Sequence, residues 1–523
     1  MAEKKNINSG PGLLARVPFF VAGIPVFFVW HKLNENFGLI PLSAGLELLA
    51  FYIAIGAAML LCWRLMLTGN RSTSSPHRWR AAGLMAGVCS IVYLFWGAIH
   101  DFLKTSWLPP FFSSYSFLFC SLFILLIVGI LVLRKRRPAL FTFTRFGNSL
   151  IILLLMMEAG LTLYYQISNR EQAIQLTHGL KSVLNKHATA RDSIRTSPDI
   201  FLIVWDEYAS SASLKRYQNF DNYSLDNSLR AKGYYVAESS KSNYNSTPHS
   251  LASMLTLDYF PAQLENAATD PPAMLLAQQA YRNAALPPWL ADQGYEILNL
   301  GLMDFENHPA PFESFFNRDW KQSMLHENLP RRVHSEIWWK VVDWFPALNW
   351  SRDAWKKRQQ QEINVFRHNW TSLMQAWQSI SDRPRFVMAH FMLPHIPFNF
   401  NANGERRDLG YYERTTQRDS LYLDQLQYVN KLIDSLTVSP YDSAIRPRVV
   451  IIMGDHGFRD NDLHPTKRIR PKQFENLTAV YYSDQEYKQL YPSITPVNNM
   501  RLLVNKYFGY QLPLLADSSI MLR

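Results

Sequence analysis

The sequence predicts a membrane-anchored α/β protein: five N-terminal transmembrane helices, then a mostly parallel β-sheet with helices on both faces. Three observations carry that prediction. Long apolar runs crowd the first 165 residues, each near the length that crosses about 30 Å of hydrocarbon. After them, short apolar runs alternate with helical patterns, as expected of strands joined by helical crossovers. Two of those short runs end in acids, and ligands in such sheets gather at the carboxyl ends of strands.

The candidate spans are Leu13–Trp30, Leu39–Leu67, Ala81–Ile99, Phe111–Leu133 and Ser149–Tyr165. Arg16 lies at the start of the first, where a long side chain reaches the interface. Glu47 and Glu158 are acidic exceptions, expected to face the bundle or an interface. A cleaved signal peptide does not fit the first run: no small-residue cleavage site follows it, and four more apolar runs do.

The formal net charge is +11. Its location argues against a nucleic-acid partner. Residues 1–170 hold 15 Lys+Arg and 5 Asp+Glu, whereas the remaining residues hold 38 and 37. The soluble part is therefore nearly neutral. With five spans, Lys4, Lys5, Arg16, Arg64, Arg71, Arg78, Arg80, Arg134, Lys135, Arg136, Arg137 and Arg145 fall on one side. The opposite loops carry Lys32 and Lys104. Positive loops stay cytoplasmic, so the amino terminus is expected inside and the large domain outside. Cys62, Cys89 and Cys120 all lie in apolar segments. The soluble domain is expected to fold without disulfides, which its size permits.

Three regions follow from this reading: a transmembrane domain over 1–165, a juxtamembrane connector over 166–197 and a catalytic domain over 198–523. Strands are expected at Ile200–Trp205, Tyr234–Ala237, Tyr295–Leu300, Arg385–Phe391, Val449–Met453 and Leu477–Tyr482. Helices are expected at Asn222–Lys232, Leu251–Leu257, Ser351–Asp382 and Ser420–Thr437. The aromatic stretch Glu313–Trp350 holds Trp320, Trp338, Trp339, Trp344 and Trp350. It reads as a cleft wall, a membrane-facing surface or plain packing.

Four segments carry candidate chemistry. Asp206 and Glu207 close the first strand as metal ligands or as strand-end and helix-cap acids. Ser246-Thr247-Pro248 precedes a helix, where amide N–H groups favour an anion. A hydroxyl there is either a nucleophile sharpened by a metal or a helix cap. His390 and His395 flank a strand end with Pro394 and Pro397, and suit metal or substrate binding or acid catalysis. The run Val449–Ile452 ends in Met453-Gly454-Asp455-His456-Gly457, a carboxylate beside an imidazole. His464, Lys467 and Arg468 lie just beyond, placed for a phosphate or sulfate or simply on a surface loop.

These pieces resemble the sulfatase-like branch of the alkaline phosphatase superfamily. The carriers are Phe201–Glu207, Ser246-Thr247, His390…Pro394-His395-Ile396-Pro397 and Gly454-Asp455-His456-Gly457, in family order across 198–482. With the anchor, the chain is most similar to lipoteichoic acid synthases and lipid A phosphoethanolamine transferases. The resemblance implies an alkaline phosphatase-like fold and a divalent metal, zinc or manganese, held by Asp206, Thr247, Asp455 and His456. It implies that Thr247 carries a lipid head group covalently. It gives His395, together with His390, the task of binding the substrate or protonating a leaving group; His464 is assigned to the substrate from its position just past the motif. It also implies a bacterial inner membrane, with membrane lipid as substrate and an envelope lipid or glycan as acceptor.

Two departures matter. Sulfatases mature Cys or Ser in Cys/Ser-x-Pro-x-Arg; here Ser246-Thr247-Pro248-His249-Ser250 lacks the Arg, and the domain has no Cys. That argues against sulfate-ester hydrolysis and leaves Ser246 beside Thr247 as a second candidate nucleophile. The domain also lacks the disulfides usual in lipid A phosphoethanolamine transferases, which keeps phosphoglycerol transfer open. The rival readings are a phosphate or sulfate ester hydrolase and a non-catalytic lipid-binding member.

Overall fold

The computed structural model describes residues 17–37, 40–67, 75–135, 140–186, 197–260, 271–312, 324–338, 345, 350–407, 418–438, 446–459 and 471–522. The chain forms two compact units: Met1–Ser168 with Asp319–Leu348, and Asn169–Arg318 with Asn349–Arg523.

The first unit is helical: α1 (Phe20–Glu35), α2 (Leu42–Met66), α3 (Ser75–Leu94), α4 (Trp96–Thr105), α5 (Tyr115–Lys135) and the portion of α6 (Leu140–Lys186) up to Ser168. Among the described residues, α2, Tyr115–Leu133 of α5 and Leu140–Ser168 of α6 are long and apolar enough to cross a membrane. The pair α3 and α4, bent by 66°, makes a fourth if it counts as one span. Of the five expected spans, three, or four with the bent pair, are thus long and apolar enough among the described residues. The first expected span appears as the 16-residue α1. Its Phe20, Val21, Ile24, Phe28 and Val29 are buried in the unit's core.

The bend has a tertiary cause. At the start of α4, Gly97 N–H donates to Glu327 O (2.7 Å). A Cβ on Gly97 would stand 2.8 Å from Glu327 Cα, so only glycine allows that approach. The segment carrying Glu327 therefore belongs with the helices. Lys32 Nζ pairs with Glu327 Oε1 (2.6 Å), Asn328 donates to Tyr52 OH (3.0 Å), and Arg332 pairs with Asp101. Of the aromatic stretch, this portion packs on the first unit, whereas Trp320, Trp339 and Trp344 lie outside the described residues. Glu158 faces inward and is 3% exposed. It accepts from Asn34 Nδ2 (2.7 Å) and contacts His31 Nδ1 (2.8 Å), as an acid inside an apolar bundle must.

The second unit contains all six expected strands: β1 (Asp199–Trp205), β2 (Tyr235–Val236), β3 (Glu296–Leu300), β4 (Arg385–Phe391), β5 (Arg448–Gly454) and β6 (Thr478–Tyr482). They form one sheet in the order β2-β6-β5-β1-β4-β3. β5, β1, β4 and β3 run parallel, and β6 is antiparallel to both β5 and β2. The sheet is mixed, with a parallel centre.

Side chains of β1 alternate between two cores. Ile200, Leu202 and Val204 pack with Leu251, Leu255 and Leu503. Phe201, Ile203 and Trp205 pack with Leu373, Leu426 and Ile433 on the other face. Burial on both faces explains the unbroken apolar runs of β1 and β5. Because β1, β4 and β5 are parallel neighbours, their carboxyl ends share one edge. That edge is where Asp206, His390 and Asp455 lie. The helices of this unit include α7 (Ser211–Gln218), α8 (Tyr223–Ala231), α9 (Thr247–Thr256), α10 (Pro271–Arg282), α11 (Leu286–Asp292), α13 (Trp350–Gln378), α14 (Arg418–Val438) and α15 (Pro496–Phe508), whereas α12 (Leu329–Glu336) belongs to the first unit.

Candidate functional site

β1 hands the chain straight into the site. Asp206 N–H donates to Phe391 O (2.9 Å), tying it to the end of β4. The next residue, Glu207, turns with φ 63, in the left-handed region that few non-glycine residues adopt. That turn aims Glu207 N–H at Asp455 Oδ1 (2.9 Å). Asp455 Oδ1 also accepts from His456 N–H (2.9 Å). The ends of β1 and β5 are thus bonded to one another.

The two glycines of the β5 motif are there for space. A Cβ on Gly454 would meet Tyr208 O, and one on Gly457 would meet Lys472 O and stand 2.9 Å from Glu475 O. All are backbone atoms and cannot swing aside. Gly457→Ala is expected to destabilise the protein by about 2–4 kcal/mol, an overpacking effect near the top of the usual range. Thermal melting of the purified chain would show it, and an unchanged melting temperature would refute it.

Asp206, Asp455 and His456 are all buried, and one ligand-type atom from each lies within 4.8 Å of the others. His456 Nδ1 is 2.9 Å from Gly457 O. A carbonyl only accepts, so Nδ1 carries the proton and Nε2 presents its lone pair. That lone pair lies 3.4 Å from Asp455 Oδ2 and 3.9 Å from Asp206 Oδ1. Asp206 Oδ1 and Asp455 Oδ2 are buried and accept no hydrogen bond. Two carboxylate oxygens and an imidazole lone pair, with no donor among them, are costly in bare protein. They form the donor set that a divalent cation takes. Burial pushes the Asp206 carboxyl up. The imidazoles of His395, His390 and His456 outweigh it and hold the group well below the usual carboxylate range.

Thr247 opens α9 behind Ser246, with Pro248 in the first turn, where proline is pre-shaped for a helix start. Its hydroxyl reaches the cluster: Oγ1 is 3.4 Å from His456 Nε2. Ser250, one turn on, donates to Asp455 O (2.5 Å) and binds the helix to the β5 turn. The Ser246 hydroxyl is 3.3 Å from His249 Nδ1. Burial drives the His249 pKa down to about 4, so this imidazole is neutral at physiological pH.

His390 lies beside Asp206, with Nε2 3.3 Å from Oδ2. His395 is set differently. Its Nδ1 is 2.5 Å from Ile396 O and its Nε2 is 3.3 Å from Arg459 Nη2. Glu207 is the anchor of that arginine rather than a member of the cation cluster: Arg459 Nε is 3.0 Å from Glu207 Oε1. Burial raises the Glu207 pKa, but His395 and Arg459 outweigh it and leave it lowered. Glu207 is fully buried, so Arg459→Ala would strand a charge. Because about a third of Arg459 is exposed, the expected loss is about 2 kcal/mol, below that of a fully buried pair. A double change with Glu207→Gln should recover most of it; melting curves of the three variants form the test.

Arg459 was not among the residues expected. Its signal lay two positions past Gly457, hidden behind the apolar Phe458, whereas the basic residues singled out were farther along. His464, Lys467 and Arg468 lie outside the described residues.

The Sulfatase family profile matches residues 198–502. No curated protein matches the chain. Solved structures do. The C-terminal periplasmic domain of EcEptC from Escherichia coli, in complex with zinc, aligns at 11% identity and a TM-score of 0.38, covering 62% of this chain and 87% of that one. The integral membrane lipooligosaccharide phosphoethanolamine transferase A from Neisseria meningitidis aligns at 10% identity and 0.37, covering 95% and 96%. The lipoteichoic acid synthase LtaP from Listeria monocytogenes aligns at 12% identity and 0.31, covering 65% and 80%.

Proposed function

The chain belongs to the Sulfatase family, and from that premise we propose that it is a membrane-bound, metal-dependent transferase. It moves a phospho-head-group, of phosphoethanolamine or phosphoglycerol type, from a phospholipid to an envelope lipid or glycan. The observation that carries this reading is the Thr247 hydroxyl, 3.4 Å from His456 Nε2 and beside two donor-less buried carboxylate oxygens.

A divalent cation, zinc or manganese, held by Asp206, Asp455 and His456 with Thr247 would supply Lewis acidity, strengthening the hydroxyl as a nucleophile and drawing charge from the phosphoryl oxygens. Thr247 Oγ1 attacks phosphorus, the bond from phosphorus to the diacylglycerol oxygen breaks, and the head group stays on Thr247 as a phosphodiester. The hydroxyl proton passes to solvent, and the departing diacylglycerol oxygen takes a proton. An acceptor hydroxyl then attacks the same phosphorus, and Thr247 leaves with its proton restored. α9 favours the anionic phosphoryl group through its amino-terminal N–H groups. His390 orients Asp206. His395, in contact with Ile396 O and Arg459, is the candidate general acid for the departing oxygen.

The membrane helices match a lipid donor, and the asymmetry of basic loops supports a catalytic domain outside the cytoplasm. Incubation of the full chain with head-group-labelled phospholipid and envelope extract tests the reading. Label should appear on a second lipid or glycan. Label found only in water-soluble product would make the protein a hydrolase.

A further inference from the structure

α14 packs on the sheet face that carries Phe201, Ile203 and Trp205. Its buried side chains recur at helical spacing from Leu421 to Leu436, the stripe expected of a helix laid on a core. Two members of that stripe are polar. Tyr422 and Gln425 are fully buried and stand one turn apart, so they share a face. A Phe and a Met would fill the same space, and a buried polar atom is costly unless bonded. Both side chains spend their polar atoms on the two loops that carry the site. The Tyr422 hydroxyl donates to Glu207 O (2.8 Å) and accepts from Ala209 N–H (3.2 Å). Gln425 Nε2 donates to Pro394 O (3.2 Å) and His395 O (3.1 Å), while its Oε1 accepts from Phe400 N–H (3.0 Å).

The Tyr422 bond falls where the backbone most needs an outside hold. Glu207 is in the left-handed region, with φ 63, and its N–H is already bound to Asp455 Oδ1. With the Tyr422 bond, the amide and the carbonyl of Glu207 are both pinned, one to the end of β5 and one to α14. The Tyr422 ring also packs on Phe458, two positions past His456, with centroids 4.1 Å apart. Tyr422 thereby touches the chain leaving β1, with Asp206, and the chain leaving β5, with Asp455 and His456. Gln425 instead spans the loop from Pro394 to Phe400, which carries His395. We propose that Tyr422 and Gln425 are positioning residues with separate tasks. Tyr422 sets Asp206 against Asp455 and His456 for a cation, and Gln425 sets His395 for the phosphoryl oxygens. The inference rests on the cation-dependent transfer proposed above and names what holds the two halves of that site in place.

The test uses the full chain in detergent. Zinc affinity is read by competition with a chelating dye, counting only the site lost in Asp455→Asn. Methylphosphonate is then titrated calorimetrically into the zinc-loaded chain. Tyr422→Phe keeps the ring on Phe458 and removes only the hydroxyl. It is expected to weaken zinc binding about tenfold or more, the scale of an outer-shell partner of a metal ligand. Gln425→Met should hold zinc within about twofold of the parent, as a site outside that cluster does. It should weaken methylphosphonate about tenfold, the worth of one hydrogen bond to an anion. Loss of packing alone would lower the melting temperature and both affinities together. Parental zinc affinity in Tyr422→Phe overturns the inference. So does a Gln425→Met chain that loses zinc as Tyr422→Phe does, or that binds methylphosphonate as the parent does. Tyr422→Phe decides alone if Gln425→Met does not fold. A parent chain without a zinc site sinks the cation reading and this inference together. Separate losses of the two affinities with no label transferred from phospholipid sink the transferase reading and leave the two positioning roles standing.

Discussion

Asp455→Asn is expected to cut turnover by at least about 10³-fold, the equivalent of several kcal/mol of transition-state stabilisation. The same change should make the metal-stripped protein more stable. The reason is local. Asp455 Oδ1 accepts from the backbone N–H groups of Glu207 and His456, and an amide oxygen keeps both bonds. Asp455 Oδ2 accepts nothing, and neither does Asp206 Oδ1. An amide nitrogen in place of Oδ2 removes one buried charge and points a donor into that gap. Filling such an unmet acceptor is worth about 1–2 kcal/mol, a shift of a few degrees for a domain of this size. A chelator should lower the melting temperature of the unmodified chain, since a ligand bound only to the folded state stabilises it. It should leave the Asp455→Asn chain where it was. Retained turnover, or a metal-stripped variant that melts below its parent, would count against a cation at this place.

Thr247→Ala is expected to lose about 10³-fold or more in kcat, toward the scale seen when a covalent nucleophile is deleted. KM should change little, because the hydroxyl acts in bond making rather than in holding the lipid. Folding should survive, since the helix entry relies on Pro248 and on the Ser250 bond to Asp455 O. Thr247→Ser keeps an oxygen at the same position and should retain measurable turnover. Ser246→Ala should stay within a few-fold of the parent, because the Ser246 hydroxyl is engaged with His249. The pair thereby resolves which hydroxyl in Ser246-Thr247 reacts. Equal losses for Ser246→Ala and Thr247→Ala would contradict the assignment.

Much of this was legible in the chain because strands buried on both faces leave an unmistakable pattern. Ile200–Trp205 and Val449–Met453 are continuous apolar runs, and each meets a carboxylate at the edge where a parallel sheet gathers ligands. Parallel pairing of β1 with both β4 and β5 then brings Asp206, His390 and Asp455 together. What was hidden depends on contacts between distant segments. Arg459 is revealed by the left-handed turn at Glu207, which no local pattern announces. The break before α4 depends on Gly97 meeting Glu327, 230 positions along. Arg332 meets Asp101 across a similar separation, which places residues of an expected soluble domain in the first unit.

The most direct test of the central claim is intact-mass spectrometry with peptide mapping. The purified full chain is exposed to phosphatidylethanolamine vesicles, with and without zinc or manganese. The account predicts a single head-group adduct on Thr247 that requires the metal and vanishes in Thr247→Ala. An adduct that persists in Thr247→Ala, maps to another side chain, or forms equally well after the metal is stripped would contradict it.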